Sequence, residues 1–213
     1  MSSILNLLVG LAMGLNLLAL GSNRLPSIIR AAAVQGMVLG ALPLLMEEKF
    51  HWLVALVAGG TVGIKGFVIP KLLRHALRAA NMDREEGPLI GFIPSLLLGA
   101  AATIGAVAMS GALPLRPEHA GTLLVPGAFA TVVSGFLLLM GRTKAISQVC
   151  GYLILENGIF LFGLLLIRTT PLIVEAGILL DLTVGVFVIG IIVDRIQKEF
   201  DTLDTRKLTS LHE

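Results

Sequence analysis

Charge is scarce in this chain. Only 14% of its 213 residues are Asp, Glu, Lys or Arg, while 55% are hydrophobic, the balance of a polytopic membrane protein. Cysteine is scarcer still: Cys150 stands alone, which excludes an internal disulfide, a Cys-x-x-Cys redox pair and a cysteine-ligated iron–sulfur or nickel–iron centre. The four His residues lie in loops or tails, and no His-x-x-x-His or Glu-x-x-His pair sets ligands on one helical face. Aromatics make up 5%, so the basic residues have no stacking platform and the pI near 8.9 does not indicate nucleic acid. The run Gly59-Gly60-Thr61-Val62-Gly63 lacks the Gly-Lys-Ser/Thr ending of a phosphate loop. No repeat, low-complexity segment or soluble linker divides the chain, which is read as a single domain over 1–213.

What is present is a series of apolar segments, each long enough to cross about 30 Å of hydrocarbon at 1.5 Å per residue. Seven are marked: Ile4–Leu20, Ile28–Met46, Trp52–Pro70, Leu89–Leu113, Gly121–Met140, Ala145–Ile167 and Pro171–Val193. The expected fold is therefore an all-α membrane helical bundle. Met1–Ser3 carries no Lys or Arg and no cleavage pattern follows, so the first segment is kept as a helix. With seven spans, the loops at Gly21–Ser27 (with Arg30), Lys71–Pro88 and Gly141–Lys144 share one side with the tail and hold twelve of the 16 Lys and Arg residues. The positive-inside rule then puts the N-terminus outside and the tail, 194–213, in the cytoplasm. In Lys71–Pro88, Leu72, Leu73, Ala76, Leu77 and Ala80 recur at helical spacing beside Lys71, Arg74 and Arg78, the pattern of a helix that continues past the membrane surface, read first as an interfacial anchor on anionic headgroups and second as a specific docking site. The glycine pairs Gly10/Gly14, Gly36/Gly40 and Gly59/Gly63 are of the small-xxx-small type that lets helices approach.

Against this apolar background the intramembrane charges stand out. Glu156 lies in the middle of the sixth segment and Asp181 in the middle of the seventh. An ionised group at mid-depth costs about 2.5–3.5 kcal/mol on insertion scales, which makes ion or proton handling the first reading and a protonated packing element the alternative. Gln148 and Tyr152 precede Glu156 at i−8 and i−4, giving a polar stripe on its face. Gly177 and Gly185 flank Asp181 on its own face and leave room for a neighbouring helix or water. Lys65, inside the third segment, leaves two readings open: a stem that snorkels to the interface, or a buried counter-ion. Glu175 sits close to the outer surface. The candidate relay set is thus Glu156, Asp181, Lys65, Tyr152, Gln148 and Glu175, with no catalytic, cofactor or metal site in this chain.

The run Gly151-Tyr152-Leu153-Ile154-Leu155-Glu156-Asn157-Gly158 resembles the hydrogenase-4 component E family of membrane subunits. The likeness continues through Pro171-Leu172-Ile173-Val174-Glu175-Ala176-Gly177-Ile178, Asp181 and the tail elements Thr202-Leu203-Asp204 and Lys207-Leu208-Thr209-Ser210-Leu211; upstream it rests on Lys65-Gly66-Phe67-Val68-Ile69-Pro70. The last three segments, 121–193, also resemble the small three-helix K (4L) subunit of respiratory complex I and the C subunit of multisubunit cation/proton antiporters. In the complex I subunit two carboxylates occupy the second and third helices, so the resemblance makes Glu156 and Asp181 their counterparts. The four helices of 1–113 have no counterpart there. What the resemblance implies is a subunit of a membrane-bound hydrogenase, formate hydrogenlyase-like, in a bacterial or archaeal cytoplasmic membrane. Its implied partners are antiporter-like membrane subunits and cytoplasmic subunits that carry the nickel–iron and iron–sulfur centres. An antiporter subunit and a purely structural scaffold are the alternatives.

Overall fold

The computed structural model describes residues 2–46, 52–79, 83–111 and 121–166. Asp181, Glu175, the seventh segment and the tail lie outside the described residues. Helices run α1 (Ser2–Gly21), α2 (Leu25–Gly40), α3 (Leu42–Met46), α4 (Trp52–Gly63), a π turn (Ile64–Val68), α5 (Ile69–Ala79), α6 (Phe92–Ser110), α7 (Leu124–Gly141) and α8 (Ala145–Leu166). These combine into six rods long and apolar enough to cross a membrane, among them Leu25–Met46 and Val54–Arg78. The chain is an all-α, multi-pass membrane bundle.

Prolines set the local breaks. Pro26 opens α2, where its missing N–H is one that the first helical turn leaves unpaired anyway. Pro43 lacks the donor that would continue α2, and the helix restarts at Leu42 after Ala41. Pro70 has the same effect on the third rod: it cannot donate to the carbonyl of Gly66, and the turn before it widens so that Ile69 N–H reaches back to Ile64 O. The rod does not stop at Pro70. It runs on through α5, where Leu73, Ala76 and Leu77 are buried and Lys71, Arg74 and Arg78 are exposed. Of the apolar stripe, Leu73, Ala76 and Leu77 face the bundle, with Leu73 and Leu77 packed in one core beside Ile28, Ile29 and Val149, while Leu72 is exposed beside the basic residues.

Three loops are tied together at one end of the bundle. Leu25 N–H donates to Asp83 O at 3.1 Å, Glu85 N–H to Asn23 O at 2.9 Å and Ile90 N–H to Gly141 O at 3.2 Å. They are the loops whose basic residues the charge pattern groups on one side. At the other end the Asn6 side chain accepts from Leu123 N–H at 2.8 Å and donates to Gly121 O at 3.3 Å, aligning the starts of α1 and α7.

Glu85 closes the loop knot from inside. Its buried carboxylate accepts from the backbone N–H groups of Thr143 and Lys144, both at 2.9 Å, and from the hydroxyls of Thr143 and Ser147. The N–H groups that open α8 have no intrahelical partners, and a carboxylate also suits the positive end of the helix dipole. Arg142, the neighbouring cation, donates to the carbonyls of Ile90 and Leu20 and lies 4.5 Å from the centre of the Phe92 ring. Burial pulls its guanidinium below the usual pKa, and the Glu85 charge opposes that shift. Glu85→Ala is expected to lower stability by about 2–3 kcal/mol, the scale of hydrogen bonds to a charged group, and Glu85→Gln by less; thermal unfolding in detergent checks the order.

Candidate functional site

Two dry cores occupy opposite halves of the bundle. One joins Ala19, Leu20, Leu25–Ala32 residues of α2, Ile69, Leu73, Leu138 and the start of α8; the other joins Leu5–Met13 residues of α1, Leu39, Leu42, Leu124, Ala128 and Leu161. Between them, on every helix that contributes to both, sits a buried polar side chain. These are Asn16 on α1, Gln35 on α2, Thr131 and Ser134 on α7, and Glu156 and Asn157 on α8; Lys65 joins them from the π turn. The result is a polar layer near mid-height, with Glu156 eleven residues, about 16 Å, from the start of α8.

Its charged centre is an ion pair. Lys65 Nζ lies 2.9 Å from Glu156 Oε1, with the two side chains only 7% and 3% exposed. The ammonium also donates to Asn157 Oδ1 at 3.1 Å and sits 6.0 Å from the centre of the Phe160 ring. Among the described residues neither carboxylate oxygen of Glu156 finds an aligned hydrogen-bond donor, so its tie to Lys65 is one of charge. Taking a carboxylate and an ammonium out of water costs several kcal/mol each, and their attraction offsets this only while both partners stay in place.

Helix packing holds the pair where it is. A Cβ on Gly36 would lie 2.9 Å from Lys65 Cβ, and one on Gly66 would lie 2.3 Å from Met37 Cγ, so α2 and the π turn touch because both residues are glycine. Gly40 similarly faces Thr61 Cγ2 at 3.1 Å. Of the small-residue pairs, Gly36/Gly40 therefore marks a contact, whereas a Cβ on Gly14, Gly59 or Gly63 would meet nothing within 4 Å among the described residues. On the other side, Gly135 abuts the backbone of Leu155 and Gly158 that of Val132. This register brings Ser134, whose hydroxyl also has no partner among the described residues, to the height of Glu156.

From the ion pair a line of amides leads away across the layer. Asn157 Nδ2 donates to Gln35 Oε1 at 3.1 Å, Gln35 Nε2 to Asn16 Oδ1 at 2.6 Å and to Ala12 O at 3.2 Å, and Asn16 Nδ2 to Thr131 Oγ1 at 2.9 Å.

The structure thus brings two of the sequence-derived candidates, Glu156 and Lys65, into contact. Lys65 is a buried partner of a carboxylate, which decides between its two readings. Gln148 does not extend the stripe: its Nε2 donates to Arg142 O at 3.0 Å, in the loop knot. Tyr152 is half-buried against the first core. Asn16, Gln35, Asn157, Thr131 and Ser134 were missed by the reading of charge alone. Their signal is a neutral polar residue in the interior of an apolar run. Among the described residues no group of three or more His, Cys, Asp or Glu side chains could hold a metal ion.

Comparison with known proteins gives two kinds of relative. The chain is 36% identical over 194 residues to the uncharacterized protein Rv0085 of Mycobacterium tuberculosis, a match covering 89% of this chain and 87% of that protein. It is 29% identical over 153 residues to hydrogenase-4 component E of Escherichia coli, covering 69% and 68% of the two chains, and equally to the protein of that name from Shigella flexneri. No family model matches the chain, and no solved structure matches it.

Proposed function

The chain belongs to one family with the mycobacterial protein Rv0085, and we propose that it is a multi-pass membrane subunit of a hydrogenase-like complex, in which the Lys65–Glu156 pair handles protons or ions in transit. The distant likeness to hydrogenase-4 component E supports the complex. The observation that carries the site is a carboxylate paired with an ammonium at mid-bundle, with dry packing above and below it. Groups of this kind inside a membrane mark ion and proton pathways.

In this reading Glu156 alternates between two states. As a carboxylate it is held by Lys65. When a proton arrives at one of its oxygens the attraction between the two is lost, and the ammonium keeps the Asn157 carbonyl as its acceptor. Delivery of the proton onward restores the pair. Asp181 and Glu175 belong to the same proposed route. Nickel–iron and iron–sulfur centres reside on cytoplasmic partner subunits, antiporter-like subunits neighbour this chain in the membrane, and the membrane is the cytoplasmic one of a bacterium or archaeon.

The test has two parts. A mild-detergent pull-down from native membranes, read by mass spectrometry, is expected to retain nickel–iron hydrogenase and iron–sulfur subunits. Recovery of antiporter-type subunits without redox partners would move the function to cation/proton exchange. In the intact complex, Glu156→Gln is expected to preserve assembly and to lower proton translocation per turnover by about 10²-fold or more, the scale for loss of a positioned proton-transfer group; unchanged pumping would reduce Glu156 to a packing element.

A further inference from the structure

The amide line in the polar layer has a direction, and chemistry fixes it at two separate points. An ammonium only donates, so the Asn157 atom facing Lys65 Nζ at 3.1 Å must be the carbonyl oxygen. A backbone carbonyl only accepts, so the Gln35 atom facing Ala12 O at 3.2 Å must be the amide nitrogen. Each constraint, taken alone, orients the rest of the line, and both give the same answer. Every amide then presents its oxygen toward Lys65 and its NH₂ away from it, ending on the hydroxyl of Thr131.

We propose that Asn157, Gln35 and Asn16 are positioning residues for the Lys65 ammonium: a one-way chain of amides, anchored on the Ala12 carbonyl, that presents an acceptor to that charge and keeps it beside Glu156. The reasoning is one of buried satisfaction. Reversing the chain would set the Gln35 oxygen against the Ala12 oxygen and the Asn157 NH₂ against the ammonium, two like-to-like contacts among buried side chains. The helices that carry the chain are thereby coupled to the charge: α1 through Asn16, α2 through Gln35 and α8 through Asn157. The proposal rests on the reading of Lys65 as counter-ion to a working carboxylate.

The experiment uses the full chain in lipid nanodiscs with ¹⁵N-labelled Asn, Gln and Lys side chains. Comparing Lys65→Met/Glu156→Gln with Glu156→Gln alone isolates the effect of the ammonium. The side-chain amide signals of Asn157, Gln35 and Asn16 are all expected to shift, most at Asn157 and least at Asn16: the Ala12 carbonyl still holds the orientation, but the ammonium that polarises the line is gone. A change confined to Asn157 would overturn the proposal, because it shows a local contact and no chain. The reciprocal variant, Gln35→Leu, keeps Lys65 and reads its ¹⁵Nζ signal; a shift is expected, and a signal superimposable on the unaltered protein would overturn the proposal whether or not the Lys65 variants fold. None of these signals depends on transport. If the amides respond while Glu156→Gln leaves pumping unchanged, the chain stands and the relay reading falls; if pumping is lost while the amides do not respond, the reverse holds.

Discussion

Lys65→Met is expected to destabilise the bundle by about 3–5 kcal/mol, while Lys65→Met/Glu156→Gln recovers most of that loss, because removing one partner of a buried ion pair costs far more than removing both. The structure explains why the single substitution is severe. Glu156 Oε1 faces the ammonium at 2.9 Å and neither oxygen has an aligned hydrogen bond, so the loss of Lys65 leaves the carboxylate with no compensating charge among the described residues. The opposite single change is milder. In Glu156→Gln the ammonium keeps Asn157 Oδ1, at 3.1 Å, within the amide chain. The two singles and the double form a cycle, measured by denaturant unfolding in mixed micelles. An interaction energy near zero would show that the two groups do not depend on one another, and the pair could not then be the unit that binds and releases a proton.

The helices were legible in the sequence because each is a long apolar run, and the boundaries shifted mainly at prolines. Glu156 was legible too, since a charge in such a run is conspicuous. Lys65 was harder, for a definite geometric reason. A wheel of 3.6 residues per turn does not predict the orientation of a side chain in a π turn, and the widened turn at Ile64–Val68, set by Pro70, is where Lys65 sits. What frees its stem to lie against α2 is Gly36, 29 positions earlier in the sequence. Asn16, Gln35 and Asn157 escaped because a neutral amide disturbs hydropathy little, although in a dry layer it needs partners as surely as a charge does. Gln148 shows the reverse error. Its i−8 spacing from Glu156 is real, yet the nearer demand of the Arg142 carbonyl at the end of α7 claims its NH₂. Arg142 reads in the sequence as a loop charge, and nothing local to it or to Glu85 announces that the two fold inward to tie three segments of the chain together.

Gly135→Ala is expected to lower stability by about 3 kcal/mol, at the upper end of the usual overpacking range, and to disturb the ion pair as well. Its Cβ would lie 2.4 Å from Leu155 N and 2.5 Å from Leu155 Cα, both backbone atoms that no rotamer change can move aside. Relief requires α7 and α8 to part by about 1 Å, the gap to an ordinary carbon contact. The same seam is tight at Gly151, where a Cβ would come within 2.6 Å of Leu139 N, and at Gly158, within 2.6 Å of Val132 N, so the strain is not absorbed by tilting about one end. Glu156 follows Leu155 directly and moves with it, whereas the Lys65 stem is held against α2 at Gly36. Parting the helices therefore changes the separation between carboxylate and ammonium without altering either residue. Gly14→Ala provides the contrast: its Cβ meets nothing within 4 Å among the described residues, and a helical Gly→Ala change without a close neighbour is favourable by about 1 kcal/mol. Unfolding measurements on the two variants are expected to move in opposite directions. Equal and small effects would mean that α7 and α8 do not pack as closely as this, and the placement of Glu156 would have to rest on some other contact.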